Sequence, residues 1–121
     1  MSNRRMNLSE KGKQILDVIT DQLEIDRPTA IKIALAKGIQ VTNEPVKEEF
    51  TSKNKWTIPD NIIKGNDFLL FKHIIFNEVK KQVDDDQLHE YMLSYIEKGL
   101  RVINDIHNDK ASMEDFRLSL L

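Results

Sequence analysis

The sequence DRPTAIKIALAKG at residues 26–38 carries the clearest structural signal in the chain. Pro28 suits the first position of a helix, because its missing N–H would have no partner there. Gly38 is typical of the residue that ends a helix in the left-handed conformation. Small and branched side chains suited to close helix packing lie between them: Ala30, Ile31, Ala34 and Leu35. The stretch therefore predicts a second helix over residues 28–37.

A first helix is predicted before this stretch. Asn7 or Ser9 can cap it, and Glu10 lies in its first turn, where the helix dipole favours a carboxylate. Its apolar residues recur at helical spacing: Ile15, Leu16, Ile19 and Leu23. We expect this helix to end near Glu24, with its charged residues directed outward.

Further helices are predicted after residue 66. The third has Asp67 as its cap and is apolar over more than half its circumference, which indicates a central core helix or an interface. The fourth follows the acidic residues 84–86 and runs to about His107. Gly99 within it predicts a tight packing contact, with a local bend as the alternative. Ser112 begins a last short helix.

The remaining segments predict little regular structure. Residues 40–66 are rich in turn-forming residues, with a short strand near residues 55–58, and are too short and too apolar for a linker between domains. Residues 4–8 are predicted to form a short N-terminal strand or an extended arm. The predicted fold class is therefore all-α: a compact single helical domain over residues 1–121, with four to five helices.

Composition excludes several classes of function. The 121 residues hold 18 Lys and Arg against 20 Asp and Glu, so a strongly basic nucleic-acid clamp is excluded but a local basic patch is not. Residues 1–65 carry 11 basic and 9 acidic side chains and residues 66–121 carry 7 and 11, so the first half is the better candidate for phosphate contact. The chain has no cysteine, which excludes disulfides and thiol chemistry. Without a signal peptide or a long apolar run, we expect a cytoplasmic protein without membrane contact.

The sequence contains little that indicates catalysis or metal binding. The chain has no nucleophile elbow, phosphate-binding glycine loop or dinucleotide fingerprint. Asp86 and His89 share one helix face at a spacing that metal ligands use, but no second pair accompanies them, so acidic capping is the favoured interpretation. We therefore expect no enzyme activity, no metal and no cofactor.

Two groups of residues are candidates for binding. A basic surface at the N-terminal helices predicts modest, salt-dependent DNA binding, with a solvated surface as the alternative: Arg4, Arg5, Lys11, Lys13, Arg27 and Lys32. Large apolar residues predict an interface between copies of the chain: Trp56, Phe68, Phe71 and Ile75. For Trp56, core packing or base stacking are the other interpretations.

The N-terminal third resembles the ribbon-helix-helix repressors. The residues that carry this resemblance are RMNLS at 5–9, a capped helix, and DRPTAI at 26–31 opening a second helix. In that family a strand pairs with its twin in a dimer and enters the major groove. The resemblance covers residues 4–41 and makes a transcriptional regulator the alternative function.

The whole chain resembles the DNA sulphur-modification family DndE. The matching segments are NR at residues 3–4, NLS at 7–9, IKIALA at 31–36, WTI at 56–58, GNDFLLF at 65–71, YIEKGL at 95–100 and SMEDF at 112–116. This resemblance implies a small helical subunit of the bacterial machinery that replaces a non-bridging phosphate oxygen of DNA with sulphur. It also implies a sulphur-activating enzyme and a coiled-coil ATPase as partners, homo-oligomers such as tetramers, and binding of DNA including nicked duplex.

Three hypotheses follow. The first is a non-catalytic subunit of the DNA phosphorothioation machinery that acts as a DNA-binding or assembly adaptor. The second is a ribbon-helix-helix regulator with an additional helical part. The third is a helical protein-interaction module without a role on nucleic acid.

Overall fold

The computed structural model describes residues 6–41, 56–59, 62–80 and 83–109; of residues 107–109 it describes only the backbone. The elements in chain order are β1 (Asn7–Leu8), α1 (Glu10–Leu23), α2 (Arg27–Val41), β2 (Trp56–Thr57), α3 (Gly65–Val79) and α4 (Asp85–Asp109). The helical fold class is confirmed, with four helices and a short two-stranded sheet in these residues. The helix predicted from Ser112 lies outside the described residues.

Side-chain caps fix where the first two helices begin. Of the two candidates at α1, Ser9 is the cap, because its Oγ accepts a hydrogen bond from the backbone N–H of Gly12 at 3.0 Å. Asp26 does the same for α2, with its Oδ1 2.8 Å from the nitrogen of Thr29. The second helix thus starts at Arg27, and Pro28 occupies its second position, where an N–H would also lack a partner.

A reciprocal pair of hydrogen bonds starts α4. Asp84 Oδ1 accepts from the Gln87 N–H at 2.8 Å, and Gln87 Oε1 accepts from the Asp84 N–H at 3.3 Å. This is a capping box, in which the side chain of each residue accepts a hydrogen bond from the backbone N–H of the other. Asp84 precedes the helix and Asp85 and Asp86 lie in its first turn, so the three acidic residues mark the start of α4, as predicted.

The prediction that Gly38 ends α2 is wrong. The helix continues through Gly38 to Val41, and Gly38 is buried against α4. A Cβ atom at Gly38 would overlap the carbonyl oxygen of Tyr95, and one at Gly99 would overlap that of Ala34. Both glycines are thus packing residues, which confirms the prediction made for Gly99.

The core centres on α4, against which α2 packs most extensively and α1 less so. The fully buried side chains of α4 are Leu88, Met92, Tyr95, Ile96, Leu100 and Ile103. They follow the i, i+3, i+4 pattern of a helix face and form one continuous stripe along the helix. The stripe makes α4 the central helix of the fold.

The prediction of α3 as a central core helix is wrong, and its alternative, an interface, stays open. Of its apolar residues only Phe71 and Ile75 are buried, whereas Leu69 and Leu70 are 52% and 56% exposed. When a helix is apolar over most of its circumference, its sequence does not show which side packs against the core of the same chain. The helix also begins two residues before Asp67, which lies in its first turn and is not its cap.

The strands lie side by side in one antiparallel pair. Asn7 faces Thr57 and Leu8 faces Trp56, so both predicted strand segments are confirmed. The Ile58 N–H extends the pairing by donating to the carbonyl oxygen of Met6 at 2.8 Å. The N-terminal strand therefore has its partner inside the chain, unlike a ribbon-helix-helix strand, which pairs with a second subunit. Within the described residues, no helix has the length and apolar character required to cross a membrane.

Candidate nucleic-acid interface

Trp56 lies half-buried at the edge of the core. It sits on β2, opposite the buried Leu8 of β1, and Ile58 just beyond it is 1% exposed. These two buried residues hold the strand in place. The indole is thus fixed at the surface with part of its area accessible to solvent.

Two cationic side chains from different helices lie over the Trp56 ring. The Lys13 ammonium nitrogen and the Arg27 guanidinium carbon are each 5.6 Å from the ring centroid. Lys13 comes from the first turn of α1 and Arg27 is the first residue of α2. Such cation–π contacts hold a long side chain in a defined position while its charge stays hydrated.

Asp17 joins the two cations. Its carboxylate oxygens lie 2.8 Å and 2.6 Å from Lys13 Nζ, and one of them lies 3.1 Å from an Arg27 nitrogen. The hydrogen bond from Lys13 has the largest effect on the pKa of Asp17 and lowers it; burial opposes this, and the hydrogen bond from Arg27 adds to the lowering, so that the pKa lies below its usual value. The carboxylate is therefore ionised at neutral pH, and the three side chains carry a net charge of one positive unit.

Lys13, Arg27 and Trp56 together are called the Trp56 cluster. Nucleic-acid-binding surfaces often combine an aromatic face with guanidinium or ammonium groups, because the cations contact phosphate and the ring can stack on a base. The cluster combines two residues predicted for DNA binding with one predicted for a subunit interface. The proximity of Trp56 to the cations was not predicted, since it depends on how β2 lies beside α1.

The other predicted DNA-binding residues lie elsewhere. Lys11 is exposed on α1, whereas Lys32 pairs with Asp67 of α3 at 2.6 Å. Arg4 and Arg5 lie outside the described residues. The structure therefore brings two of the six residues together.

The predicted interface residues on α3 divide between core and surface. Phe71 is 8% and Ile75 0% exposed, so both pack within the chain's own core. Phe68 is half-buried, with its ring centroid 6.1 Å from that of His89. The exposed large apolar residues of the helix are their neighbours Leu69 and Leu70, which are not among the predicted interface residues.

A second polar cluster is buried between α1 and α4. Glu97 is 1% exposed and accepts hydrogen bonds from the Ser9 hydroxyl at 3.0 Å and from the Ser9 N–H at 3.3 Å. Arg101 donates to the same carboxylate at 3.3 Å. Gly12 leaves room for it, because a Cβ there would overlap Glu97 Oε1. This cluster ties the start of α1 to the central helix and is structural.

Groups of acidic or histidine side chains that could hold a metal ion are absent from the described part of the chain. His89 Nδ1 contacts the carbonyl oxygen of Asp85 at 2.7 Å. The Trp56 cluster is thus the candidate functional site.

Fold and cluster define a small helical protein that presents cations around a surface indole. The family model for the DNA sulphur modification protein DndE matches residues 5–111, and the chain belongs to this family. Membership implies involvement in DNA sulphur modification. Members of this family are not known as the catalytic subunit of that system. The match extends far beyond residues 4–41, where the ribbon-helix-helix resemblance ends. Neither a curated protein nor a solved structure matches the chain.

Proposed function

We propose that the protein is a non-catalytic subunit of the DNA phosphorothioation machinery and that it binds DNA through the Trp56 cluster. It acts as an adaptor in the cytoplasm, holding duplex DNA, intact or nicked, for the sulphur-activating enzyme and the coiled-coil ATPase. The observation that supports this proposal is the placement of Lys13 and Arg27 over one indole, each 5.6 Å from its centre.

The physical argument is one of complementary charge and shape. The chain as a whole carries a net charge of −2, so its attraction to DNA must come from a local surface. Two cations held beside an aromatic ring provide such a surface with little loss of side-chain entropy on binding, because the ring already positions them.

We further propose that α3 joins copies of the chain into a homo-oligomer such as a tetramer. Leu69 and Leu70 are more than half exposed and adjacent, and removing apolar area of this kind from water favours association. Phe68 borders them, whereas Phe71 and Ile75 stabilise the helix from within.

Fluorescence anisotropy of labelled duplexes, intact and nicked, tests the DNA-binding role. We expect Lys13→Gln/Arg27→Gln to weaken binding about tenfold or more at low salt and to reduce the slope of log K against log salt by about two. Lys37→Gln/Lys72→Gln is the matched control, since it removes the same charge from helix positions on α2 and α3. Equal effects of the two double variants would show that the cluster is not the binding site.

Phosphorothioate-linked dinucleotides, measured by mass spectrometry in host DNA, test the adaptor role. Deleting the gene is expected to abolish the modification, and the intact gene and the control variant are expected to restore it. The cluster variant is expected to restore less. Unchanged modification in the deletion strain would contradict the proposed function and favour a regulator.

A further inference from the structure

Asp17 is an anionic partner of both cations of the Trp56 cluster. Its carboxylate contacts both Lys13 and Arg27, at 2.6 Å and 3.1 Å, and carboxylate and phosphate oxygens satisfy these cations in the same way. We propose that Asp17 is an intramolecular competitor of DNA: it holds the two cations in the free protein, and a DNA phosphate displaces it. The inference rests on the proposed DNA-binding function.

The ion pairs are weak enough to exchange. The side chains of Lys13, Asp17 and Arg27 are 24%, 46% and 49% exposed. Solvent screens charges at such positions, so each pair contributes little net stability. An incoming phosphate therefore has only a modest interaction to replace.

The cations stay in position when Asp17 leaves. Lys13 and Arg27 each contact the Trp56 ring independently of the carboxylate. Asp17 lies within α1, and only its side chain has to rotate away. Displacement thus needs no change in the backbone, and the phosphate meets cations already arranged beside the ring.

Such a competitor lowers the affinity of the isolated chain for DNA. Stable binding then requires further contacts, such as those supplied by other subunits or by a second copy of the chain. Asp17 would thereby restrict tight DNA binding to the assembled machinery.

Asp17→Asn tests the inference, because it keeps the size of the side chain and removes its charge. Asp21→Asn is the matched control, because it removes the same charge from an exposed position one turn further along α1. Binding of a fluorescein-labelled nicked duplex is measured by anisotropy at low salt. Quenching of the fluorescence of Trp56, the chain's single tryptophan, reports contact at the cluster itself.

Asp17→Asn is expected to tighten DNA binding about threefold to tenfold, from the range measured for exposed ion pairs, and Asp21→Asn less than about twofold. The gain is expected to disappear in the Lys13→Gln/Arg27→Gln background, because the competitor acts only through these cations. Equal gains from both single variants, or a gain that survives in this background, would show a general charge effect and overturn the inference.

Weaker binding by Asp17→Asn would also overturn it, since Asp17 would then position the cations for DNA. If Lys13→Gln/Arg27→Gln weakens binding while Asp17→Asn does not strengthen it, the inference fails and the DNA-binding function stands. If neither the wild-type protein nor Asp17→Asn binds the duplex, both fail.

Discussion

Gly38 of α2 and Gly99 of α4 meet face to face where the two helices cross. A Cβ atom at Gly99 would lie 3.0 Å from the backbone nitrogen of Gly38 and would overlap the carbonyl oxygen of Ala34. The obstacles are backbone atoms, which cannot rotate aside as a side chain does. The crossing of the two most extensively packed helices therefore depends on two residues without a side chain.

Gly99→Ala is expected to lower the free energy of unfolding by about 2 kcal/mol or more, because overpacking at backbone contacts exceeds the roughly 1 kcal/mol that alanine adds in helix propensity. Gly38→Ala is expected to act similarly. Urea denaturation followed by circular dichroism measures both. Gln40→Ala, at an exposed position of α2, serves as the control and should change stability by less than about 0.5 kcal/mol. A Gly99→Ala protein as stable as the wild type would show that the helices do not approach so closely.

The buried contact between Ser9 and Glu97 predicts coupled effects of mutation. Glu97→Ala leaves the Ser9 hydroxyl and N–H buried without their acceptor, so we expect a loss of about 2–3 kcal/mol. Ser9→Ala also removes the cap of α1 and is expected to cost about 1–2 kcal/mol.

Because both changes remove the same interaction, the double variant should be more stable than the sum of the single losses predicts, by at least about 0.5 kcal/mol. Denaturant unfolding of the wild type, the two single variants and the double variant measures this double-mutant cycle. Asp105→Asn, at an exposed position of α4, is the control. Strictly additive losses would exclude the hydrogen bonds between the two residues.

Tyr95 places a hydroxyl group in the core with no hydrogen-bond partner among the described residues. Since an unpaired buried hydroxyl is destabilising, Tyr95→Phe is expected to leave stability unchanged or to raise it by up to about 1 kcal/mol. Thermal unfolding near pH 7 measures this effect. A loss above about 1 kcal/mol would reveal a partner for the hydroxyl.

The same tyrosine predicts sensitivity to alkali. Burial, followed by the nearby charges of Glu78 and Tyr91, raises the pKa of Tyr95 above its usual value of 10.0. The folded state then binds the phenolic proton more tightly than the unfolded state, so stability is lost as the pH rises above about 10. Between about pH 9 and 11, one pH unit either side of the usual tyrosine pKa, Tyr95→Phe should lose less stability than the wild type. Identical alkaline profiles would contradict the prediction.

The local signals of the sequence predicted where the helices lie in the chain, but not how the helices pack against one another. Ser9 is identifiable as a cap because capping depends on residues three positions away. The prediction that Gly38 ends α2 failed because a glycine can either end a helix or allow two helices to cross closely. Only the position of Tyr95 in space distinguishes the two roles. The ion pair of Lys13 with Asp17 follows from their spacing of four, but the contact of each cation with Trp56 depends on a strand more than 25 residues away in the chain.

The exposed apolar residues of α3 give the last prediction, which concerns the proposed oligomer. Leu69→Gln/Leu70→Gln removes apolar area from the surface while Phe71 and Ile75 keep the helix on the core. We expect a folded protein with the helical signal of the wild type and the mass of one 14.1 kDa chain in light scattering after gel filtration. Phe71→Glu, in contrast, places a charge in the core and is expected to unfold the protein. Wild-type protein that is itself monomeric, or a double variant of unchanged oligomeric mass, would show that α3 does not join the subunits.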